Sequence, residues 1–205
     1  AVDCLPVSDK YVFVCLEEHI KKYNIDNILK EHYLNSEIVS IKNVTKGQAM
    51  TAEYGILYSS ISLEDSLLIS CCDYGIEWNE NEYNKLLEFD IVVWTTINNK
   101  AFSDNPNSYS WLDVDGDNNL LKTYVKQKVF EDSYNNHAIV GTFYFKKAKY
   151  FINGLTNIYE DNIKSNGEFY IDNMLNTLTD LNIKIFDVDK YHCWGTPKDL
   201  VNYEN

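Results

Sequence analysis

Apolar positions along this chain fall in short unbroken runs separated by amphipathic or polar stretches, the pattern of doubly buried strands alternating with helices. Residues 11–16 (YVFVCL) form the first run, and the stretch 17–33 after it is helical, with a break expected near Asn24. Residues 37–41 (EIVSI) predict a second strand and lead into VTKGQAMTAEYG, where Gly47 starts a helix reaching about Ser59. Residues 66–72 (SLLISCC) predict a fully buried strand ending at Asp73, 79–87 is polar and helical, and 89–97 (FDIVVWTTI) is again a buried strand. This alternation predicts a mostly parallel sheet covered on both faces.

The later half changes texture. Residues 108–127 hold two strand-like runs around DVDGDNN, followed by HAIVGTFYF, so antiparallel strands are expected to join the sheet. Residues 147–162 and 169–181 predict helices and NIKIFDV predicts a strand. TPKDLVNYE predicts a terminal helix with Thr196 as cap and Pro197 at its first position. No repeat, low-complexity tract or Gly/Ser linker interrupts the series, and 205 residues fit a single domain over 1–205 with a real core.

Charge and cysteine usage narrow the chemistry. Net charge is −13 and all 18 basic residues are lysines, so the arginine forks that dominate nucleic-acid recognition are absent and no polynucleotide partner is expected. An AT-rich genome would also explain the missing arginine; in either case a phosphate held here is held by lysine, backbone N–H groups or metal. Cys15, Cys71 and Cys72 lie in apolar runs as small buried hydrophobes, and no C-x-x-C pair exists, so neither zinc nor a disulfide framework is expected. No apolar stretch approaches the roughly 20 residues that span a bilayer, and no signal pattern opens the chain; the expectation is a cytoplasmic protein with no membrane partner.

In a parallel sheet, ligands gather beyond the carboxyl ends of the strands, which singles out Glu17, Gly47, Asp73 and Asn98. Asp73 suits a divalent cation, although a cap or turn aspartate is an equal reading of its spacing. The helix start at Gly47 offers unpaired N–H groups, with a glycine that lets a flat ring or phosphate approach. DVDGDNN fails as an EF-hand loop from Asp113, because its sixth and twelfth positions are Asn118 and Tyr124; it reads as a hairpin turn in preference to an Asp-x-Asp metal motif. His192 and Cys193 are adjacent on a strand and point apart, which discounts a Cys/His dyad.

Six segments in order, TKGQAMTA (45–52), LLISCCD (67–73), VKQKVFED (125–132), VGTFYFKK (140–147), NGEFYIDNML (166–175) and CWGTPKDL (193–200), resemble the nucleotidyltransferases that activate sugar 1-phosphates, a group often found with surface-polysaccharide genes. The resemblance implies a three-layer, Rossmann-like α/β fold with a mixed sheet. It also implies a reaction in which a nucleoside triphosphate and a phosphorylated sugar give a nucleotide sugar and pyrophosphate, with Mg2+ as cofactor. On the same footing Asp73 matches the magnesium-binding and catalytic aspartate, and Lys128 the lysine of a Glu-Lys pair. Gly47, Gln48 and Cys72 fall in the nucleotide-binding segments, with a nucleobase beside Gly47, and Gly141, Thr142, Glu168 and Tyr170 in the sugar pocket.

Departures from that pattern carry expectations of their own. The family's first strand and Gly-rich phosphate loop have no counterpart, which reads as a fragment short of roughly 40 residues and predicts a chain inactive by itself. Lys42 stands where many relatives have a glutamine before the base-binding glycine, and Gln127 replaces the glutamate of the Glu-Lys pair. Cys193 and Trp194 occupy the place of a second metal-binding aspartate, leaving Asp187 or Asp189 as substitutes. The missing strand belongs between the strands at Tyr11 and Ser66, so these are expected to stay unpaired with each other, favouring instability, a partner strand, a homo-oligomer or origin in a longer chain. Two other functions fit the residues: a non-catalytic nucleotide- or sugar-binding domain, and a phosphocholine-type cytidylyltransferase using Trp78, Trp111, Tyr170 and Trp194 as an aromatic cage.

Overall fold

The computed structural model describes residues 1–204. In chain order the elements are β1 (Tyr11–Leu16), α1 (Glu17–Tyr23), α2 (Ile25–His32), β2 (Ser36–Ile41), α3 (Gln48–Leu57), β3 (Leu67–Ile69), β4 (Tyr74–Glu77), α4 (Glu80–Asn84), β5 (Ile91–Thr96) and α5 (Lys100–Asp104). They continue with β6 (Trp111–Val114), β7 (Leu120–Tyr124), β8 (His137–Phe145), α6 (Ala148–Glu160), α7 (Ile171–Leu175), β9 (Ile183–Asp187), β10 (Lys190–Cys193) and α8 (Pro197–Glu204). The break between α1 and α2 falls at Asn24, which takes a left-handed conformation (φ 54°) that asparagine tolerates better than most residues.

The principal sheet runs β7-β6-β8-β5-β9, with β3 also paired to β8. β5 and β9 are parallel, and the other pairings in this sheet are antiparallel. β5 (IVVWTT) is buried along its whole length because both faces of the sheet are covered. Ile91 and Val93 enter one core with Phe143, Phe145 and the helical residues Phe151, Leu155 and Ile158. Val92 and Trp94 enter a second core with Tyr74, Ile76, Tyr83 and Phe186. Two cores on opposite faces of one sheet make three layers.

Among the described residues β1 pairs with β2 alone, in parallel, and β3 pairs with β8 alone. Each therefore keeps a free edge, as expected for the strands at Tyr11 and Ser66, and every residue of β1 is half-buried although its sequence is wholly apolar. The free edge also corrects an expectation: β3 covers three residues, all half-buried, in place of a fully buried strand over 66–72. The expected helix over 169–181 is similarly short, since only Ile171–Leu175 forms α-helix; the sheet is mixed, as the family resemblance implies, and not mostly parallel, as the strand–helix alternation alone suggests. β4 and β10, which form a separate antiparallel ribbon, have no strand pattern legible in the sequence. The DVDGDNN turn is confirmed as a hairpin: Asp115 Oδ1 accepts the Asp117 and Asn119 amides, at 2.9 Å each, between β6 and β7.

β8 changes partner partway along. Residues 143–145 pair with β3, residues 137–138 pair with β6, and between these stretches Gly141 takes φ 100° opposite a register shift in β5. A strand broken at a positive-φ glycine re-aims its neighbours, a device frequent beside functional sites. A side chain at this position would meet Tyr74 and Cys71 at 3.4 and 3.5 Å.

Candidate active site

The rim that receives the end of β3, the start of α3 and the break in β8 is held together by Gln48. Its Nε2 donates to Cys71 Sγ at 3.0 Å and to the Gly141 carbonyl at 3.2 Å. Asp73 lies two residues beyond Cys71 and is exposed. Its carbonyl accepts the Trp194 amide at 2.8 Å, whereas its carboxylate has no hydrogen-bond or ion-pair partner among the described residues. The carboxylate therefore caps no helix, while the residue itself lies in the bend that leads into β4. Burial, with Asp73 as the second cause, pushes the Cys71 thiol up to about 12, and Lys126 acts in the opposite direction.

The glycine at 47 (φ 114°, ψ 168°) caps α3, and its immediate neighbour is the chain itself. The Phe169 amide donates to the Lys46 carbonyl at 2.8 Å, and the Ala49 amide donates to the Phe169 carbonyl at 3.2 Å. A Cβ at 47 would lie 2.9 Å from the Phe169 nitrogen and closer still to its carbonyl oxygen. The close approach that the glycine permits is therefore that of the 165–169 turn, which brings Glu168 and Tyr170 to this rim. Tyr170 donates to Glu168 at 2.6 Å, and burial followed by that hydrogen bond pushes its hydroxyl up to about 12.

Lys126, half-buried, is the basic residue of this neighbourhood. Its ammonium donates to the Ser108 carbonyl at 2.7 Å and lies 5.2 Å and 6.0 Å from the ring centres of Tyr170 and Tyr109. Below it, Asp172 is buried and accepts from the Ser110 hydroxyl; burial raises its carboxyl, while Ser110 and Lys126 oppose the rise. Tyr109 is raised first by burial and then by Cys193, Asp199 and Asp73.

Several expected residues stand differently from the sequence reading. Lys128 is exposed, and its amide, not its side chain, is engaged, donating to Asn107 at 2.8 Å. Thr142 is fully buried, its hydroxyl shared with Tyr74 and Ser70, so it supports the wall and has no surface for a substrate. Cys72 is exposed, not a buried hydrophobe. Asp187 is held by Thr95 at 2.7 Å and His137 at 2.9 Å, and Asp189 is exposed at the β9–β10 turn. The carboxylate that comes near the rim is Asp199, which accepts from the Thr196 amide (3.1 Å) and hydroxyl (2.6 Å) at the start of α8. The aromatic cage does not assemble: Trp78 packs on Trp94 at 5.1 Å, Trp111 is buried, and Trp194 packs on Tyr203 at 5.2 Å. Apolar runs give no sign of Lys126, Tyr109 or Asp172; segments 125–132 and 166–175 contain Lys126 and Asp172 without singling them out, and Tyr109 lies in neither.

Among the described residues no group of three or more His, Cys, Asp or Glu side chains could hold a metal ion. Magnesium does not require one, since it usually binds through one or two carboxylates plus waters and substrate phosphates. The unengaged carboxylate of Asp73 fits that demand. No helix among the described residues is long and apolar enough to cross a membrane.

No family model and no curated protein matches the chain. Solved structures do. A nucleoside-diphosphate-sugar pyrophosphorylase from Vibrio cholerae RC9 superposes over 96% of this chain and 80% of its own, with a TM-score of 0.75 at 14% identity. HddC from Yersinia pseudotuberculosis superposes over 94% of this chain and 76% of its own, with a TM-score of 0.59 at 16% identity. The chain has the α/β fold of these proteins.

Proposed function

We propose that this chain is a nucleotidyltransferase that combines a nucleoside triphosphate with a sugar 1-phosphate, giving a nucleotide sugar of the kind used for surface polysaccharides and releasing pyrophosphate. One observation carries the reading: an exposed carboxylate without a partner among the described residues, Asp73, shares a rim with the start of α3, the break in β8 and the half-buried Lys126. In this reaction an oxygen of the acceptor phosphate bonds to the α-phosphorus, the bond from that phosphorus to the bridging oxygen breaks, and pyrophosphate leaves with the electron pair. The acceptor is itself the nucleophile, so no serine or cysteine attacker is required. Catalysis is alignment of two mutually repelling anions and neutralisation of their charge.

The chain's own groups divide that work. Lys126, steadied between Tyr109 and Tyr170, is the cation for a phosphate, in place of Lys128. Glu168 accepts hydrogen bonds from sugar hydroxyls. The N–H groups beside Gly47 and the Gln48 side chain face the nucleobase, with Cys72 and Gly141 at its border. Asp73 would hold magnesium, which when bound supplies charge neutralisation for the triphosphate. Five free cysteines support a reducing compartment such as the cytoplasm.

Pyrophosphate release, measured on the protein from its natural reading frame with a panel of triphosphates and sugar 1-phosphates, tests the proposal. Turnover is expected with one pair, and Asp73→Asn is expected to lower kcat about 100-fold or more while leaving the melting temperature unchanged. Absence of turnover with every pair would favour the binding-domain alternative, and an unimpaired Asp73→Asn would remove the metal role.

A further inference from the structure

A groove of about 370 Å³ lies along the open edge of β7, where Thr123, Tyr124, Gln127, Ser165, Asn173 and Asn176 contribute to its walls. Lys126 and the groups it touches on the rim, Ser108, Tyr109 and Tyr170, do not line it, so the 125–129 segment separates the groove from the candidate active site. The volume falls within the range of small-molecule sites, roughly 300–1,000 Å³.

Two buried polar atoms at this groove lack hydrogen-bond partners. Thr123 is 3% exposed, and its hydroxyl is unpaired although its backbone is fully engaged: Asn176 accepts from its amide and donates to its carbonyl, at 2.9 Å each. Asn173 is 6% exposed; its Oδ1 accepts from the Ser165 hydroxyl at 3.2 Å, and its Nδ2 is unpaired. Inverting that amide would exchange which end is satisfied without satisfying both. Buried polar atoms are nearly always paired, so two orphans beside one hollow indicate a partner that the chain does not supply.

The lining also indicates what kind of partner. In a chain of net charge −13 the groove has no acidic residue and one lysine, Lys122, whose ammonium already lies 4.9 Å from the Tyr124 ring centre. The remaining polar groups are neutral amides and hydroxyls, able both to donate and to accept, beside an aromatic ring and two valines. A ligand with closely spaced hydroxyls on an apolar ring satisfies that set; an anion would leave the acceptors unused. We propose that this groove binds a neutral pyranose sugar, with Thr123 and Asn173 hydrogen-bonding adjacent hydroxyls. The inference does not depend on the nucleotidyl-transfer reading.

Saturation-transfer NMR and calorimetry on the full chain test it, using methyl glucoside, methyl galactoside, methyl N-acetylglucosaminide and inorganic phosphate as probes. At least one glycoside should bind, with Thr123→Val and Asn173→Ala each weakening it about tenfold or more. Thr123→Val removes an unpaired hydroxyl at nearly constant shape and should not lower the melting temperature, so its effect will not be one of unfolding. Lys30→Gln, exposed on α2 and part of neither site, should leave glycoside binding unchanged. Failure of all three glycosides to bind, binding that survives both groove variants, or binding of phosphate alone would overturn the proposal.

Discussion

Gly47 shows how a close approach can be legible in the sequence while the group that makes it inside the chain is not. A glycine opening a helix after a strand run announced that something comes close, and the nearest group is the Phe169 backbone. Its φ of 114° with ψ of 168° belongs to a region used almost only by glycine, so the position is constrained twice, by dihedral and by contact. Gly47→Ala is expected to cost about 3 kcal/mol, lowering the melting temperature by roughly 10 °C. A variant that melts with the parent would show that the 165–169 turn yields freely. Side-chain roles were the least legible part of the sequence for a related reason. Lys126 and Lys128 are two residues apart in one polar loop, and only the left-handed conformation of Lys126 (φ 52°), with its carbonyl partner at Ser108, decides which of them faces the rim.

Elements were legible where local pattern and burial agreed. β5, the α1–α2 break, the β6–β7 hairpin and α6 follow from apolar runs, a left-handed asparagine, an Asp-Gly turn and helical spacing of Phe151, Leu155 and Ile158. β4 and β10 were not, because their pairing with each other is fixed by long-range contact, as between Glu77 and Lys190 at a separation of 113 residues, and not by any alternation. β3 is shorter than its apolar run because its free edge lacks the partner that would extend it. The junction before α6 is tied by Glu64, which meets Lys147 at 2.8 Å and Lys149 at 2.7 Å. Those lysines hold its carboxyl down, from 4.5 to about 2. A depressed folded-state value stabilises the fold above the unfolded value and loses that contribution as pH falls through the folded one. The stability difference between the parent and Glu64→Gln should therefore be full above pH 4.5 and fade towards pH 2 in urea titrations. A difference independent of pH would assign the effect of Glu64 to packing.

At the scale of the whole molecule, the three layers, the mixed sheet and the free edges of β1 and β3 follow the expectations drawn from six short segments, despite identities of 14% and 16% to the superposing structures. Order and spacing of the segments carried that information, since each alone is modest. What they could not supply is how loops distant in sequence share space: Tyr109, Lys126, Tyr170 and Asp199 arrive from four parts of the chain. The central claim is that one bound triphosphate and its cation touch both the start of α3 and Asp73. Paramagnetic broadening of backbone amides by Mn2+ added with nucleoside triphosphate measures this directly. The account predicts broadening centred on Gln48, Asp73 and Gly141, absent in Asp73→Asn and sparing Thr123 and Asn173 in the β7 groove. Broadening centred elsewhere, or unchanged in Asp73→Asn, would contradict it.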